Sequence, residues 1–267
     1  MHTGPIGIFD SGLGGLSVWK ELVAQLPQES LLYVADSAHC PYGNQSEEYI
    51  QTRAKIIADF LTGQGCKLIV VACNTATAAA IRVLRQTFSV PFVGMEPAIK
   101  PAATHTRTGT IGVLATKGTL EGQHFRQART TFAGGTEVLM QVGQGLVELV
   151  EQDQIETPEA ERLLRQYLEP MVAAGADQIV LGCTHYPFLI PVMRQIIPAQ
   201  VALVDPAPAV ARRTRQLLEE LNLTIAPGAI PAYTFYTTGQ LPPLQHLAGR
   251  LLPPGHQASV HFSTLDL

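Results

Sequence analysis

Short apolar runs alternate with longer stretches of helical periodicity along most of this chain. The runs are rich in Val, Ile and Leu, and they predict strands at residues 6–9, 31–35, 68–72, 92–94, 110–114, 137–140, 178–181 and 201–204. Because these runs are apolar throughout instead of alternating with polar residues, they are typical of parallel strands that helices cover on both sides. The pattern therefore predicts an α/β fold with doubly wound parallel sheets.

Two segments of the chain read as copies of one another. The sequence LIVVACNTATAAAIRVLRQ leads on to GMEPA, and QIVLGCTHYPFLIPVMRQ leads on to LVDPA. The spacing from Cys73 to Glu96 is 23 residues, and the spacing from Cys183 to Asp205 is 22. Upstream of these segments, IGIFDSG is echoed by IGVLATKG. The repeat predicts two similar domains related by pseudo-twofold symmetry, with a shared site between them.

The domain boundaries follow from the ends of the two copies. Each copy ends at an acidic residue followed by proline, Glu96 in one case and Asp205 in the other. The C-terminal segment has no third copy with which to form a domain of its own. We therefore expect a first domain of residues 1–97 plus 207–267 and a second domain of residues 98–206.

Composition and charge narrow the class of protein. Hydrophobic residues make up 46% of the chain and charged residues 15%, which suits a compact globular protein. The formal net charge of -4 gives no electrostatic footprint for nucleic acid. No apolar run reaches the roughly 18 residues of a membrane span, and the N-terminus lacks a basic and apolar leader. We expect a cytoplasmic protein with neither a membrane nor a nucleic-acid partner.

Polar side chains follow several of the predicted strands. They are Asp10, Asp36, Cys73, Thr116 and Cys183. Ligand-binding groups of parallel sheets collect at the carboxyl ends of the strands, so we expect these residues to lie near one site. A helix beginning directly after each thiol would lower the pKa of that thiol through its unpaired N–H groups.

The paired thiols are compatible with three kinds of site. They could form a redox pair, a metal site completed by His185, or a pair of acid and base catalysts. The four cysteines have no C-x-x-C spacing, which weakens the first two hypotheses. Inversion of a stereocentre requires one group to take a proton from one face while another donates from the opposite face, and this explains the symmetry. The glycine-rich turn after Asp10 also lets backbone N–H groups approach a carboxylate.

Six motifs connect the chain with a known family. IGIFDSGLGGLSV, CPYGN, VACNTATA, IGVLATKGT, VLGCTHYPFL and VDPA occur in the order found in glutamate racemases. Over about residues 5–212, the chain resembles this family of cofactor-independent racemases of bacterial cell-wall synthesis. The resemblance implies interconversion of L- and D-glutamate without metal or other cofactor, supply of D-glutamate for peptidoglycan, and a homodimer.

The resemblance also assigns roles to individual residues. Cys183 would take the α-proton of L-glutamate with the assistance of His185, and Cys73 that of D-glutamate with the assistance of Asp10. Glu151 matches the acidic residue of the family and joins these four as a catalytic candidate. The implied substrate-binding residues are Asp10, Ser11, Tyr42, Gly43, Asn74, Thr75, Thr116, Thr184 and His185.

Two other functions stay open on the sequence alone. An aspartate racemase would share the paired thiols and recognise a shorter side chain, although the GCTHYPFL motif favours glutamate. A binding protein on the same scaffold is the second alternative, since some glutamate racemases restrain DNA gyrase. Both thiols are intact, which favours an enzyme, and no feature of the sequence indicates a gyrase interaction.

Overall fold

The computed structural model describes residues 4–225 and 228–267. Residues 1–3 and residues 226 and 227 lie outside the described residues. Residues 1–3 belong to the N-terminal segment for which the sequence predicts no leader. Within the described ranges the strands are β1 (Ile6–Asp10), β2 (Leu31–Ala35), β3 (Leu68–Val71), β4 (Phe92–Gly94), β5 (Thr110–Ala115), β6 (Glu137–Val142), β7 (Gln178–Gly182), β8 (Ala202–Val204), β9 (Ala232–Thr237) and β10 (Ser259–Thr264). The α-helices there are α1 (Leu16–Gln25), α2 (Glu47–Gly63), α3 (Asn74–Thr87), α4 (Ile99–His105), α5 (Lys117–Glu121), α6 (Gln123–Phe132), α7 (Leu146–Glu151), α8 (Pro158–Ala173), α9 (Ile190–Ile196), α10 (Ala207–Glu220) and α11 (Leu241–Leu251).

The strands form two parallel sheets. One has the order β10-β9-β2-β1-β3-β4, and the other has the order β6-β5-β7-β8. The segment β2-β1-β3-β4 of the first sheet therefore matches the whole of the second, strand for strand. The predicted α/β fold with two parallel sheets is confirmed, and the sequence repeat corresponds to a repeated strand order.

The C-terminal strands extend the first sheet. β9 pairs with β2 and β10 with β9, all in parallel. Their inner aromatic side chains pack on α1, where the ring of Trp19 lies 5.3 Å from that of Tyr233 and 5.2 Å from that of Phe235. Each such aromatic pair adds about 1 kcal/mol beyond the apolar area that it buries. Helix α10 also packs on α1, so the chain after β8 contributes to the core of the first sheet.

Several helices begin at polar caps immediately after loops or strands. Ser46 caps α2, Thr116 caps α5 and Thr157 caps α8, in each case by accepting a backbone N–H from three residues further on. A cap of this kind satisfies one of the N–H groups that a helix start leaves unpaired. At α5, the cap places a hydroxyl at the carboxyl end of β5.

The length and apolarity of the helices were compared with what a membrane-spanning helix requires. None of those within residues 4–225 and 228–267 is both long enough and apolar enough to cross a bilayer.

Candidate active site

The carboxyl ends of β1, β3, β5 and β7 converge on a small cavity between the two sheets. Its lining residues are Ser11, Pro41, Tyr42, Gly43, Cys73, Asn74, Thr75, Thr116, Val147, Cys183, Thr184 and His185. The set includes both repeated thiols and all but one of the predicted substrate-binding residues. The exception is Asp10, which lies behind the lining, fully buried at the end of β1.

Cys73 is the N-cap of α3. Its Sγ accepts the N–H of Ala76 at 3.4 Å, and its thiol lies 3.8 Å from the hydroxyl oxygen of Ser11. Burial and the nearby Asp10 carboxylate raise the pKa of the Cys73 thiol far above its usual value, against the opposing effect of the Ala76 N–H. The predicted lowering of this pKa is therefore wrong, because desolvation outweighs the helix start. Cys73 is a protonated thiol at neutral pH.

Asp10 links the two halves of the site. One carboxylate oxygen accepts the N–H of Gly12 at 2.9 Å, and the other accepts the hydroxyl of Thr184 at 3.2 Å. Burial raises the pKa of Asp10 even though His185 and the Gly12 N–H both lower it. Asp10 therefore retains a proton to higher pH than an exposed aspartate does.

Cys183 is followed by a short 3-10 turn at Tyr186–Leu189 and not directly by an α-helix. Its Sγ lies 3.6 Å from Nδ1 of His185. The other ring nitrogen, Nε2, lies 2.6 Å from Oε1 of Glu151. The same carboxylate oxygen accepts the N–H of Leu13 at 2.6 Å. Thiol, imidazole and carboxylate thus form a chain in which each group contacts the next.

The ionisation of His185 is governed by this chain. Burial alone would lower the pKa of His185, but hydrogen bonds with Cys183, Cys40 and Glu151 raise it well above its usual value. An imidazolium donates from both ring nitrogens, and a sulfur lies on one side and a carboxylate on the other, although the Gly14 N–H also points at Nε2 from 3.2 Å. The second thiol therefore has a cation beside it, whereas the first has a carboxyl group.

A potential metal-binding cluster lies next to His185. It consists of Cys40, Glu151 and His185 itself, whose donor atoms lie within 4.8 Å of one another. Among the residues that the structure describes, this is the group of three that could hold a metal ion. Cys73 and Cys183, which the sequence-based metal hypothesis combined with His185, do not belong to it. Burial raises the pKa of Cys40 to about 11, so a metal ion would have to displace the proton of this thiol in order to bind.

Neutral donors surround the remainder of the cavity. The hydroxyl oxygens of Thr75 and Thr116 lie 2.8 Å apart, and that of Thr119 lies 2.8 Å from Thr116, so hydroxyls of α3 and α5 meet across the two halves. Nδ2 of Asn74 is buried and has no hydrogen-bond partner among the described residues. No Lys or Arg is among the described residues that line the cavity. The cavity can therefore hold a carboxylate through neutral donors.

The loop between β2 and α2 places Pro41, Tyr42 and Gly43 at the cavity. The hydroxyl of Tyr42 donates to Asp36 and is not free for a ligand. A Cβ atom at Gly43 would lie 3.2 Å from Cβ of Thr116, so glycine permits a close approach of this loop to the other half of the molecule.

Sequence reasoning missed three residues of the site. Pro41 and Val147 line the cavity, and Cys40 contacts His185. Pro41 and Cys40 belong to the CPYGN motif, from which the sequence analysis took only Tyr42 and Gly43 as site residues. Val147 lies on the apolar side of α7, where its sequence pattern is that of an ordinary core residue, so no local signal identifies it.

Known proteins resemble this chain over nearly its full length. The sequence profile of the Asp/Glu/Hydantoin racemase family matches residues 6–214. A glutamate racemase from Pseudomonas syringae pv. tomato is 50% identical over 251 residues, which cover 93% of this chain and 89% of that protein.

Two solved structures share the fold. The crystal structure of a glutamate racemase isoform from Bacillus anthracis has a TM-score of 0.88 at 33% identity and covers 100% of this chain and 99% of its own. Glutamate racemase from Francisella tularensis in complex with D-glutamate has a TM-score of 0.84 at 28% identity, with coverage of 100% and 98%. These matches confirm the family predicted from the motifs: the chain is similar to glutamate racemases and belongs to the Asp/Glu/Hydantoin racemase family of isomerases.

Proposed function

We propose that the protein interconverts L- and D-glutamate, with Cys73 and Cys183 acting on opposite faces of the α-carbon. The observation that carries this proposal is that both thiols line one cavity, each from the equivalent position of two matching strand sets. A group on each face is what inversion by proton transfer requires. The relative from Francisella tularensis, crystallised with D-glutamate, supports the choice of substrate.

The two thiols start the reaction in different roles. Burial and Asp10 raise the pKa of Cys73, so Cys73 begins as the acid. Cys183, with the cation of His185 beside it, begins as the base. With Cys183 as the base and Cys73 as the acid, the enzyme is ready to react with L-glutamate. Cys183 takes the α-proton, and Cys73 delivers its own proton to the other face of the α-carbon. The product is D-glutamate, and the enzyme is left in the state that accepts D-glutamate in the reverse direction.

The α-proton of an amino acid is very weakly acidic, so the binding groups must stabilise the charge that develops on its removal. Donors aimed at the substrate carboxylates provide this stabilisation in a site that excludes water. We assign this role to Ser11, Asn74, Thr75, Thr116, Thr184 and the backbone of Tyr42 and Gly43. The unpaired amide of Asn74 is the donor with the strongest support, since a ligand would satisfy it.

Glu151 acts on the reaction through His185 and does not touch the substrate. Its contact with Nε2 directs Nδ1 of the ring toward Cys183, and the Leu13 N–H holds the carboxylate in place. Second partners of this kind set both the orientation and the basicity of an imidazole.

The proposed reaction uses no cofactor. A Schiff-base mechanism requires a lysine at the substrate, and no lysine is among the described residues lining the cavity. Racemase activity is expected to survive dialysis against EDTA. Loss of activity that zinc restores would instead support a metal at the Cys40 cluster.

The decisive experiment follows purified protein with D-glutamate in D2O, without added cofactor. Circular dichroism is expected to decay to zero while NMR shows deuterium entering only the α-position. D-Aspartate is the control substrate, because a chain one methylene shorter leaves buried donors unpaired at a cost of roughly 1 to 3 kcal/mol each. Equal efficiency on aspartate would favour an aspartate racemase, and no exchange with either substrate would reject the proposal.

The cellular role and the assembly are part of the same proposal. D-Glutamate made in the cytoplasm would supply peptidoglycan synthesis, which growth rescue of a D-glutamate auxotroph tests. We propose that the protein is a homodimer, which light scattering tests.

We also propose a first domain of residues 1–97 plus 207–267 and a second domain of residues 98–206. The pairing of β9 with β2 supports the assignment of the C-terminal segment to the first domain.

A further inference from the structure

A buried ionic network lies directly behind the loop that carries Tyr42 and Gly43. At its centre is Asp36, which follows β2 and has no exposed surface. Arg53 of α2 binds both carboxylate oxygens, with Nη2 at 2.8 Å from Oδ1 and Nε at 3.0 Å from Oδ2. The hydroxyl of Thr238 donates to Oδ1 at 2.9 Å. A carboxylate with this many donors is fixed in position.

We propose that Asp36 and Arg53 are positioning residues. Through the hydroxyl of Tyr42, they hold the loop that carries Tyr42 and Gly43 in place at the racemase site. This inference rests on the proposed function, since it deepens the role of the same cavity. The roles implied by the family resemblance include neither residue.

Tyr42 connects the network to the cavity. Its hydroxyl donates to Oδ2 of Asp36, while its residue lines the cavity beside Cys73. The ring is almost fully buried, with 1% of its surface exposed. One end of the side chain is thus fixed to the ion pair, and the same residue lines the cavity.

Gly43 makes the position of this loop critical. Its backbone approaches Thr116 so closely that a Cβ atom would lie 3.2 Å from Cβ of that residue. Thr116 in turn hydrogen-bonds Thr75 at the cavity. A loop that relaxed outward by a fraction of an ångström would move Gly43 away from this contact and loosen the substrate site.

The charges of the network favour a permanent ion pair. Burial raises the pKa of Asp36, but hydrogen bonds from Arg53 and Tyr42 outweigh it, so the carboxyl stays ionised. His39 also contacts Oδ1, at 2.9 Å, and Arg53 donates to the backbone oxygen of Leu267 at 2.9 Å. A buried ion pair of this kind does not by itself argue for stability, because desolvation of both ions offsets their attraction. Positioning explains its location better than stability does.

The test uses Tyr42→Phe, which removes the hydroxyl and leaves the ion pair and the ring. We expect KM for glutamate to rise about tenfold, the effect of one hydrogen bond to a charged group, while kcat stays within about twofold of wild type. Hydrogen exchange of the segment 37–45 is expected to accelerate. The matched control is Tyr167→Phe, which deletes a hydroxyl bonded to the backbone oxygen of Gln144 at 2.9 Å and is expected to leave KM unchanged.

A double-mutant cycle shows whether Asp36 acts through Tyr42. Asp36→Asn is expected to raise KM at least as much as Tyr42→Phe, and the double variant no more than Asp36→Asn alone. If the increase in KM of the double variant equals the product of the two single increases, the Tyr42 hydroxyl acts on the substrate independently of Asp36, and the inference fails. If Asp36→Asn does not fold, Tyr42→Phe decides: unchanged KM and unchanged exchange would overturn the inference.

Calorimetric titration with D-glutamate separates this inference from the proposed function. Wild-type protein that neither binds nor racemises glutamate would reject the proposed function. Active wild-type protein with an unaffected Tyr42→Phe variant would reject the positioning role alone.

Discussion

The surroundings of the two thiols differ although their scaffolds match. Cys73 lies beside the buried carboxyl of Asp10, at the start of an α-helix. Cys183 lies beside His185, which Glu151 holds from behind. The strands that carry them have the same order in both sheets. The two halves thus share a strand order, while the acid–base groups beside their thiols differ.

The divergence is located at two equivalent positions. Where the first half has Asp10 at the end of its first strand, the second has Ala115 at the equivalent position of its own first strand. Two residues beyond the thiol, the first half has Thr75 and the second has His185. Each half therefore supplies one ionisable partner from a different position, so that the two thiols have different neighbours.

Removal of either thiol is the strongest test of the comparison. Cys73→Ala and Cys183→Ala are each expected to reduce racemisation by about a thousandfold or more, since the acid or base of one face is lost. Cys73→Ala should still remove the α-proton of L-glutamate, and Cys183→Ala that of D-glutamate. Elimination of chloride from each enantiomer of 3-chloroglutamate measures this. Processing of the same enantiomer by both variants would contradict the assignment of faces.

The partners of the thiols give the next largest effect. Asp10→Asn and His185→Asn are each expected to lower kcat/KM by about a hundredfold. The loss of kcat/KM must be equal in the two directions of the reaction. The ratio of the two kcat/KM values equals the equilibrium constant, which is one because the enantiomers have equal free energy. The asymmetry should instead emerge in the α-deuterium isotope effect, larger with D-glutamate for Asp10→Asn and with L-glutamate for His185→Asn. Identical isotope-effect patterns would mean that neither partner serves one thiol in particular.

Gly14 tests how tightly His185 must be placed. A Cβ atom at Gly14 would lie 2.2 Å from Nδ1 of His185, so Gly14→Ala must displace the imidazole. A displacement of this size can cost up to about a hundredfold in rate, and we expect the loss to resemble that of His185→Asn in its isotope effects. Gly249→Ala is the control, because nothing lies within 4 Å of its added methyl group. Full activity of Gly14→Ala would show that the position of the ring is not critical.

Glu151→Gln is expected to lower kcat by about tenfold through its effect on His185. Hydrogen bonds, including that with Glu151, raise the pKa of His185, so removing the charge lowers this pKa. The cation is then lost at lower pH, and the alkaline limb of the rate profile should shift to lower pH. Glu148→Gln, on the exposed side of the same helix, should leave the profile unchanged. A profile that does not move would remove Glu151 from the chain of contacts.

Alkylation compares the reactivity of the two thiols in their different surroundings. Cys73 and Cys183 are similarly buried, at 5% and 6% exposure, so their rates with iodoacetamide should differ through the groups beside them, Asp10 and His185. We expect Cys183 to react about tenfold faster at neutral pH, as read by peptide mass spectrometry. Cys66 is an internal reference, since burial raises its pKa to about 12. Faster reaction of Cys73 would reverse the proposed starting roles.

The sequence by itself determined the features that rest on local pattern and on the repeat. Solid apolar runs require burial on both faces, so they specified parallel strands, and the predicted strands are present with ends shifted by a residue or two. The repeated segments placed a thiol after β3 and β7, and parallel strands bring such ends to one edge of each sheet. The site residues taken from the family resemblance largely line one cavity, because they lie at these ends or in the adjoining loops.

Tertiary structure alone decided the chemistry of each group. Glu151 reaches His185 across 34 residues of sequence and Leu13 across 138, and no local pattern encodes these contacts. Sequence reasoning expected the helix start to lower the pKa of Cys73, but burial is a property of the whole fold and reversed the direction. The Tyr42 hydroxyl likewise donates to Asp36 because the loop between β2 and α2 folds back on its own strand end. Local sequence determines which groups arrive at a site, while desolvation and long-range contacts determine their protonation and orientation.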